Sequence, residues 1–188
     1  KNLMKLANKI NQSFIKKFNA CWVPDFENLL FSGDLSKSKF ITTKIGPLSR
    51  FEKNYTKKIN FKYKYLAIIS GPEPQRSLFE KEITNAFKKI KDSCTIITGK
   101  IENHNYKIKN IDVYPHLETS EFNEIVLQSE LVICRSGYSS IMDLYFLQKK
   151  VMFVPTPGQT EQEYLAELHK KEHNINFRRQ GEILCSFL

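Results

Sequence analysis

Leu131 to Leu168 reads LVICRSGYSSIMDLYFLQKKVMFVPTPGQTEQEYLAEL, and the alternation of apolar and polar blocks along it decides the fold. Leu131 to Cys134 is an apolar strand that runs into the polar turn Arg135-Ser136-Gly137. A helical segment holding Asp143 follows, then a second apolar strand from Val151 to Val154 and a polar loop from Thr156 to Gln162, which opens a helix carrying Leu165 and Leu168. This is a β-turn-α-β-loop-α unit with its polar groups at the carboxyl ends of the strands. In open α/β sheets ligands settle in that crevice, where helix N-termini offer free N–H groups and the positive end of a dipole.

The residue types in the unit suit a nucleotide diphosphate. Gly137 lets the backbone approach an anion, and Ser136, Ser139 and Ser140 add hydroxyl donors at the helix start. A carboxylate such as Asp143 can accept both hydroxyls of a ribose. The bland alternative is an ordinary helix cap with Asp143 as a first-turn acid favoured by the dipole.

Order and spacing add to this. Cys134-Arg135-Ser136-Gly137, the acid Asp143 six residues after the glycine, Val154-Pro155 and Glu161-Gln162-Glu163 follow one another without a gap. The stretch resembles the donor-binding half of GT-B glycosyltransferases of family 28, whose members include the N-acetylglucosaminyltransferase of peptidoglycan synthesis. The resemblance implies that Ser136, Gly137, Tyr138 and Ser139 face the diphosphate, that Asp143 takes the ribose, and that Gln162 and Glu163 reach the hydroxyls of the donor sugar. Two positions depart from the family pattern: the ribose acid is usually glutamate, and the second residue of the Gln pair is Glu163 here.

The resemblance extends upstream. Tyr65 to Ser70 reads as a buried strand and Gln75 to Lys91 as a helix with Phe79, Ile83, Phe87 and Ile90 on one face, which makes Gly71-Pro72-Glu73-Pro74 a βα loop. The family carries a glycine-rich loop at that place. Gly71 stands in register with it, while the two prolines remove N–H donors and leave a stiffer loop that contributes shape. Asn110 to Tyr114 reads as a strand ending in Pro115-His116-Leu117, where the resemblance assigns the base-binding backbone to Leu117. Lys44 to Arg50, KIGPLSR, is similar to the family's interdomain linker, whose arginine helps hold the nucleotide, and Arg50 takes that role by the resemblance.

A GT-B enzyme needs two Rossmann-like domains, and 188 residues suffice for one domain and part of another. The amphipathic segment with Leu3, Leu6, Ile10, Phe14 and Phe18, followed by Asn19 to Asp25, resembles the last helix and strand of an acceptor domain. Residues 1–50 are therefore expected to be a remnant of that domain and the linker, and 51–188 the nucleotide-sugar domain. The expected fold is an α/β three-layer Rossmann-like sandwich with a parallel sheet and right-handed crossovers, the carboxyl-terminal half of a GT-B fold. On this reading the chain alone is incomplete and inactive, and no residue in it is assigned as catalytic base. The remaining elements are strands at Cys94–Thr98 and Val151–Val154 and a helix at Thr119–Gln128 with Phe122, Ile125 and Val126 inward; Phe31 to Phe40 reads as a mobile polar loop.

Apolar residues make up 41% of the chain, and no apolar run approaches the ~20 residues of a membrane span, which points to a cytoplasmic globular module. Cys21, Cys94, Cys134 and Cys185 are far apart and sit mostly in apolar strand patterns, as reduced core residues do. The net charge of +9 is uneven: residues 1–64 hold 14 Lys and Arg against 4 Asp and Glu, and the rest hold 15 against 16. A basic surface can meet anionic lipid head groups at the inner membrane face, but the lysines are spread along the chain, as in ordinary solvated faces. Phe51, Tyr55, Phe61, Tyr63 and Tyr65 interleave with lysines without forming an RNA-binding signature, and no nucleic acid partner is expected.

His169-Lys170-Lys171-Glu172-His173 fits the H-x-x-E-H pattern of a zinc peptidase, yet a third ligand is needed and only a short tail follows. The resemblance makes it the solvent-facing end of a helix. Ser139 lacks the second glycine of a nucleophile elbow, since Ile141 stands there. The chain has no D-x-D pair, and neither a metal nor any other cofactor is expected beside the UDP-sugar substrate. The expected function is donor binding for transfer of a hexosyl group, N-acetylglucosamine-like, to a lipid-linked or small acceptor. Its rivals are an epimerase or hydrolase of the same fold and a noncatalytic donor-binding subunit.

Overall fold

The computed structural model describes residues 2–27, 31–37, 40–51, 60–101, 104–173 and 175–183, with side chains from Lys9 onward. Tyr55, Cys185 and the side chains of Leu3 and Leu6 lie outside that description. The chain divides into two compact units, Lys1–Leu48 and Ser49–Leu188.

In the first unit, helix α1 (Asn2–Ile15) precedes strand β1 (Trp22–Val23), which pairs in parallel with β2 (Thr43–Lys44). The segment expected as a polar loop is anchored. Phe31 and Ser32 are buried and a 3-10 turn spans Gly33–Ser36. The anchor is the buried carboxylate of Asp25, which accepts the N–H groups of Phe26, Phe31 and Ser32 and the Ser32 hydroxyl. Burial pushes this carboxyl up, but the hydrogen bonds from Ser32, Phe31 and Phe26 outweigh it and hold the pKa below the usual value.

The second unit is built on strands β3 (Tyr63–Ile68), β4 (Cys94–Ile97), β5 (Tyr106–Ile108), β6 (Ile111–Tyr114), β7 (Ser129–Cys134), β8 (Lys150–Phe153) and β9 (Asn176–Phe177). Its helices are α2 (Gln75–Phe87), α3 (Thr119–Leu127), α4 (Tyr138–Phe146) and α5 (Thr160–His173). The sheet order is β5-β6-β4-β3-β7-β8-β9, with only β5 antiparallel to its neighbour among the described residues. Without that hairpin strand, the parallel strands read third-second-first-fourth-fifth-sixth in chain order. This is the doubly wound Rossmann arrangement, and its topological switch point lies between β3 and β7.

Register brings the carboxyl ends together. Tyr114 pairs with Ile97, Ile97 with Ile68, Ile68 with Cys134, Cys134 with Phe153 and Phe153 with Phe177, so one row across the sheet closes nearly every strand. The loops that leave this row share one edge. Each helix buries an apolar stripe: Phe79, Ile83 and Phe87 from α2, Phe122, Ile125 and Val126 from α3, Ile141 and Leu144 from α4, and Leu165 from α5.

Helix α2 ends at Phe87 and not at Lys91, and Ile90 is only half-buried beyond it. The Asn110 amide donates to the carbonyls of Phe87, Ile90 and Asp92, satisfying acceptors that the helix end leaves open. The Cys94 and Cys134 thiols are free and buried, and burial pushes both up to about 12, so they stay protonated. No helix among the described residues is long and apolar enough to cross a membrane.

Candidate functional site

The turn after β7 divides its labour by burial. Arg135, 2% exposed, donates from Nη1 to the carbonyls of Val154 and Pro155 and from Nη2 to the Gln75 carbonyl and Gln180 Oε1. Its guanidinium lies 4.1 Å from the centroid of the Phe79 ring. It thus ties together the loop after β8, the start of α2 and the segment after β9. Burial lowers its pKa to about 10, so the group remains a cation at neutral pH. Ser136 is fully buried, and its hydroxyl donates to the Gln162 carbonyl at 2.7 Å. That hydroxyl is engaged in holding α5 to the turn.

The next residues open outward. Gly137 sits at the N-cap of α4 with φ −73° and ψ 144°, a conformation any residue adopts, and open space surrounds the place where its Cβ would be. Packing therefore does not require glycine here, while its absence of side chain keeps the backbone accessible. Gly137 has no side chain to cap α4, no acid lies in the first turn, and the first helical bond runs from the Ile141 N–H to the Gly137 carbonyl. Ser139 is exposed, and Tyr138 and Ser140 are half-buried. An uncapped helix start leaves N–H donors at the positive end of the dipole.

Asp143 lies beyond the first turn of α4, so the alternative of a first-turn acid fails on position. Its Oδ1 accepts the Ser49 hydroxyl at 2.8 Å and the Arg50 N–H at 3.4 Å, and its Oδ2 accepts Arg50 Nε at 3.0 Å. The Arg50 guanidinium also stands 4.4 Å from the Phe122 ring centroid and 5.0 Å from that of Phe51, and these two rings stack at 5.9 Å. Ser49, in the KIGPLSR segment, is a partner of Asp143 that the sequence pattern does not single out. Its neighbour Arg50 was the signal that could have found it.

Gln162 and Glu163 occupy the first turn of α5, which begins at Thr160, and not the loop in which they were expected. Gln162 Oε1 accepts the Thr156 N–H at 2.9 Å and Glu163 Oε1 accepts the Gly158 N–H at 3.1 Å, so both side chains close the turn after Pro155. Gly71 is exposed with φ +107°, in the left-handed region that favours glycine, and a Cβ there would stand 3.7 Å from Thr156 Oγ1. Thr156 Oγ1 is buried and has no hydrogen-bond partner among the described residues. Leu117 is half-buried after β6. The register row therefore gathers Gly71, Leu117, Ser136, Gly137 and the start of α5 on one edge.

His169 is not at a solvent-facing end: it is 1% exposed, its ring 6.0 Å from that of Phe153 and 5.0 Å from that of His173. No cluster of three His, Cys, Asp or Glu side chains placed to hold a metal ion occurs among the described residues.

A cavity of about 430 Å³ opens on the carboxyl edge between the loop after β8, the helix α5 and the segment after β9. Pro157, Glu163, Glu167, Phe177 and Arg179 line it. Sequence reasoning did not find this cavity, because the residues that build it come from three separate elements.

Residues 68–181 match the model of the glycosyltransferase family 28 C-terminal domain. The chain is 29% identical over 105 residues to the UDP-N-acetylglucosamine–N-acetylmuramyl-(pentapeptide) pyrophosphoryl-undecaprenol N-acetylglucosamine transferase of Sulfurihydrogenibium sp. (strain YO3AOP1), covering 56% of this chain and 29% of that protein. It is 24% identical over 196 residues to the enzyme of the same name from Finegoldia magna, covering 94% of this chain and 49% of that protein. The chain thus spans half or less of the length of these relatives. Among solved structures it resembles MurG of Acinetobacter baumannii, with a TM-score of 0.53 at 14% identity over 81% of this chain and 48% of that one. It also resembles the spinosyn rhamnosyltransferase SpnG, with a TM-score of 0.54 at 11% identity over 78% and 41%.

Proposed function

This chain belongs to the glycosyltransferase family 28 C-terminal domains, and on that premise we propose that it is the donor-binding half of an enzyme that moves a hexosyl group from a UDP-sugar to an acceptor. The observation that carries the reading is the uncapped start of α4 beside the switch point of the sheet, with Gly137 leaving the backbone open and Asp143 placed on the same helix. The names of the two curated relatives supply the finer expectation, an N-acetylglucosamine donor and a lipid-linked acceptor.

The chemistry follows from the site. Departure of a nucleoside diphosphate builds negative charge, and donors fixed before reaction stabilise it without reorganisation. The N–H groups at Gly137, Tyr138 and Ser139 and the Ser139 hydroxyl supply such donors, with Ser136 holding the turn from beneath. Each carboxylate oxygen of Asp143 accepts more than one hydrogen bond. Ser49 and Arg50 fix the carboxylate, and its remaining lone pairs take a ribose hydroxyl. Arg50 stands beside the nucleotide, Leu117 offers backbone to the base, and Gly71 shapes the floor. Gln162 and Glu163 address the sugar from the start of α5. The reading assigns the diphosphate charge to these donors and gives no divalent ion a role, consistent with the lack of a D-x-D pair.

Calorimetry with UDP and UDP-N-acetylglucosamine tests the proposal. Both should bind, and no detectable heat at millimolar ligand would sink it.

A further inference from the structure

We infer that the amino edge of the main sheet, opposite the candidate site, docks on a bilayer of anionic lipids, with unpaired lysines facing the head groups and the Phe61 ring entering between them. Chain order hides this surface, because its lysines are far apart in sequence. Register gathers them: Ile111, Cys94, Tyr65, Leu131 and Lys150 form one row across the sheet, and the segments that enter this row carry the charge. Lys62 precedes β3, Lys88, Lys89 and Lys91 lie between α2 and β4, and Lys109 turns β5 into β6. All five are exposed, and none makes an ion pair among the described residues. Lys64 and Lys150 share Glu130, and Lys107 holds Asp112. The other acids near the row, Asp92 and Glu124, do not offset the unpaired lysines, so the edge is positive although the chain from Tyr65 onward is nearly neutral. The balancing acids lie toward the opposite edge, among them Glu73, Glu118, Glu161 and Glu163.

The composition of the edge selects the occupant. A helix C-terminus attracts lysines through its dipole, which accounts for Lys88 and Lys89, but Lys62 and Lys109 follow no helix. The arginines stand elsewhere, at the start of α2, after β7, after β9 and against Asp143, and none enters this row. Arginine's planar fork is the group that reads single phosphates and nucleic acids, whereas lysines are point charges that a charged plane attracts without a fixed register. Phe61 is 56% exposed, and Lys149 Nζ stands 4.9 Å from its ring centroid. An exposed aromatic ring among lysines is the pairing that enters the boundary between head groups and acyl chains. From Lys109 beside β6 to Lys150 beside β8 the row spans four strand spacings, roughly 19 Å, so many head groups meet it at once. Lys149 and the Ser129 hydroxyl close on backbone carbonyls beneath, and the field of the lysines around them needs no aimed donor. The carboxyl row lies three residues further along these strands, roughly 10 Å away, and stays open when the amino edge is covered.

Co-sedimentation of the whole chain with vesicles tests this, comparing phosphatidylcholine alone with phosphatidylcholine and phosphatidylglycerol in equal parts. Binding should occur to the anionic vesicles only and vanish at about 1 M salt, where the screening length falls to ~3 Å. Replacing Lys88, Lys89 and Lys91 together by glutamine should weaken it about hundredfold at an unchanged melting temperature. Phe61→Ser should weaken it about tenfold and leave its salt dependence as it was. The same replacement at Lys9, Lys16 and Lys17, exposed lysines of the first unit, should hardly change it. Equal binding to both kinds of vesicle, binding to neither, or a loss that follows the lysines of the first unit and not Lys88, Lys89 and Lys91 overturns the assignment. So does a chain that ignores vesicles yet retains poly(U) RNA through Lys88, Lys89 and Lys91.

Discussion

The two edges of the main sheet each hold a cation against backbone carbonyls, and they differ in what surrounds it. At the amino edge Lys149 Nζ donates to the carbonyls of Leu127 and Ser129, and the Ser129 hydroxyl donates to Ile125, so the polar groups there close on one another. At the carboxyl edge Arg135 performs the same task for Val154, Pro155 and Gln75, but the helix start directly after it is left uncapped. The cation is scaffold in both places. What distinguishes the carboxyl edge is the donors that the scaffold leaves open, because only unspent N–H and O–H groups can meet a ligand without first breaking a bond within the protein.

The comparison breaks most readily at Arg135. Arg135→Met removes donors from three backbone carbonyls, and it should cost about 3–4 kcal/mol in urea unfolding. A loss below about 1 kcal/mol would show that water replaces the guanidinium and that the residue is no scaffold. Asp143→Ala comes next. It should weaken UDP by about 1.5–3 kcal/mol while binding of 2′-deoxy-UDP hardly responds. Equal losses for the two nucleotides would mean that the carboxylate serves Ser49 and Arg50 alone.

Adjacent serines sharpen the contrast further. Ser136→Ala should cost about 1 kcal/mol of stability through its bond to Gln162, whereas Ser139→Ala should leave stability within about 0.5 kcal/mol and lower UDP affinity. The reverse pattern would defeat the division of the turn into a buried half and an open half. Replacing Gln162 and Glu163 together by alanine should leave UDP affinity nearly unchanged, reduce the added affinity of the UDP-sugar, and cost about 1 kcal/mol of stability, since the N–H groups of Thr156 and Gly158 lose their acceptors. UDP and UDP-sugar lost in equal proportion would confine the pair to closing the turn.

The amino edge is tested by its pH dependence. Burial lowers the Lys149 pKa from 10.5 to about 8. Between those values the unfolded chain binds more protons than the folded one, so this group makes stability rise with pH across that window. Lys149→Met should flatten the rise between pH 8 and 10.5, measured as the slope of unfolding free energy against pH. An unaltered slope would show that Lys149 titrates as it does in the unfolded chain.

Apart from β5, the strands and helices from Tyr63 to His173 were legible because each carries enough residues to express a period. The apolar run of β7, the Phe79-Ile83-Phe87 stripe of α2 and the Phe122-Ile125-Val126 stripe of α3 are local patterns that burial on one face demands. Short edge strands gave no such signal. Neither β5, with three residues, nor β9, with two, is long enough to show alternation, and both exist because a neighbouring strand pairs with them. Helix ends were displaced for a related reason. Asn110, 23 residues from Phe87 in sequence, ends α2, and no local reading sees it.

By itself the sequence determined the order of elements, the turn that opens α4 and the presence of an acid on that helix, since these depend on residues near one another along the chain. It did not determine which polar residues are spent and which are free. Ser136 reads as a site residue as readily as Ser139 does, and only the tertiary structure buries it, next to Arg135, against a carbonyl and leaves Ser139 outside. The reason is that a donor's availability depends on the acceptors packing brings to it. For Arg135 these lie on the loop after β8, the start of α2 and the segment after β9, elements that meet only when the sheet is assembled.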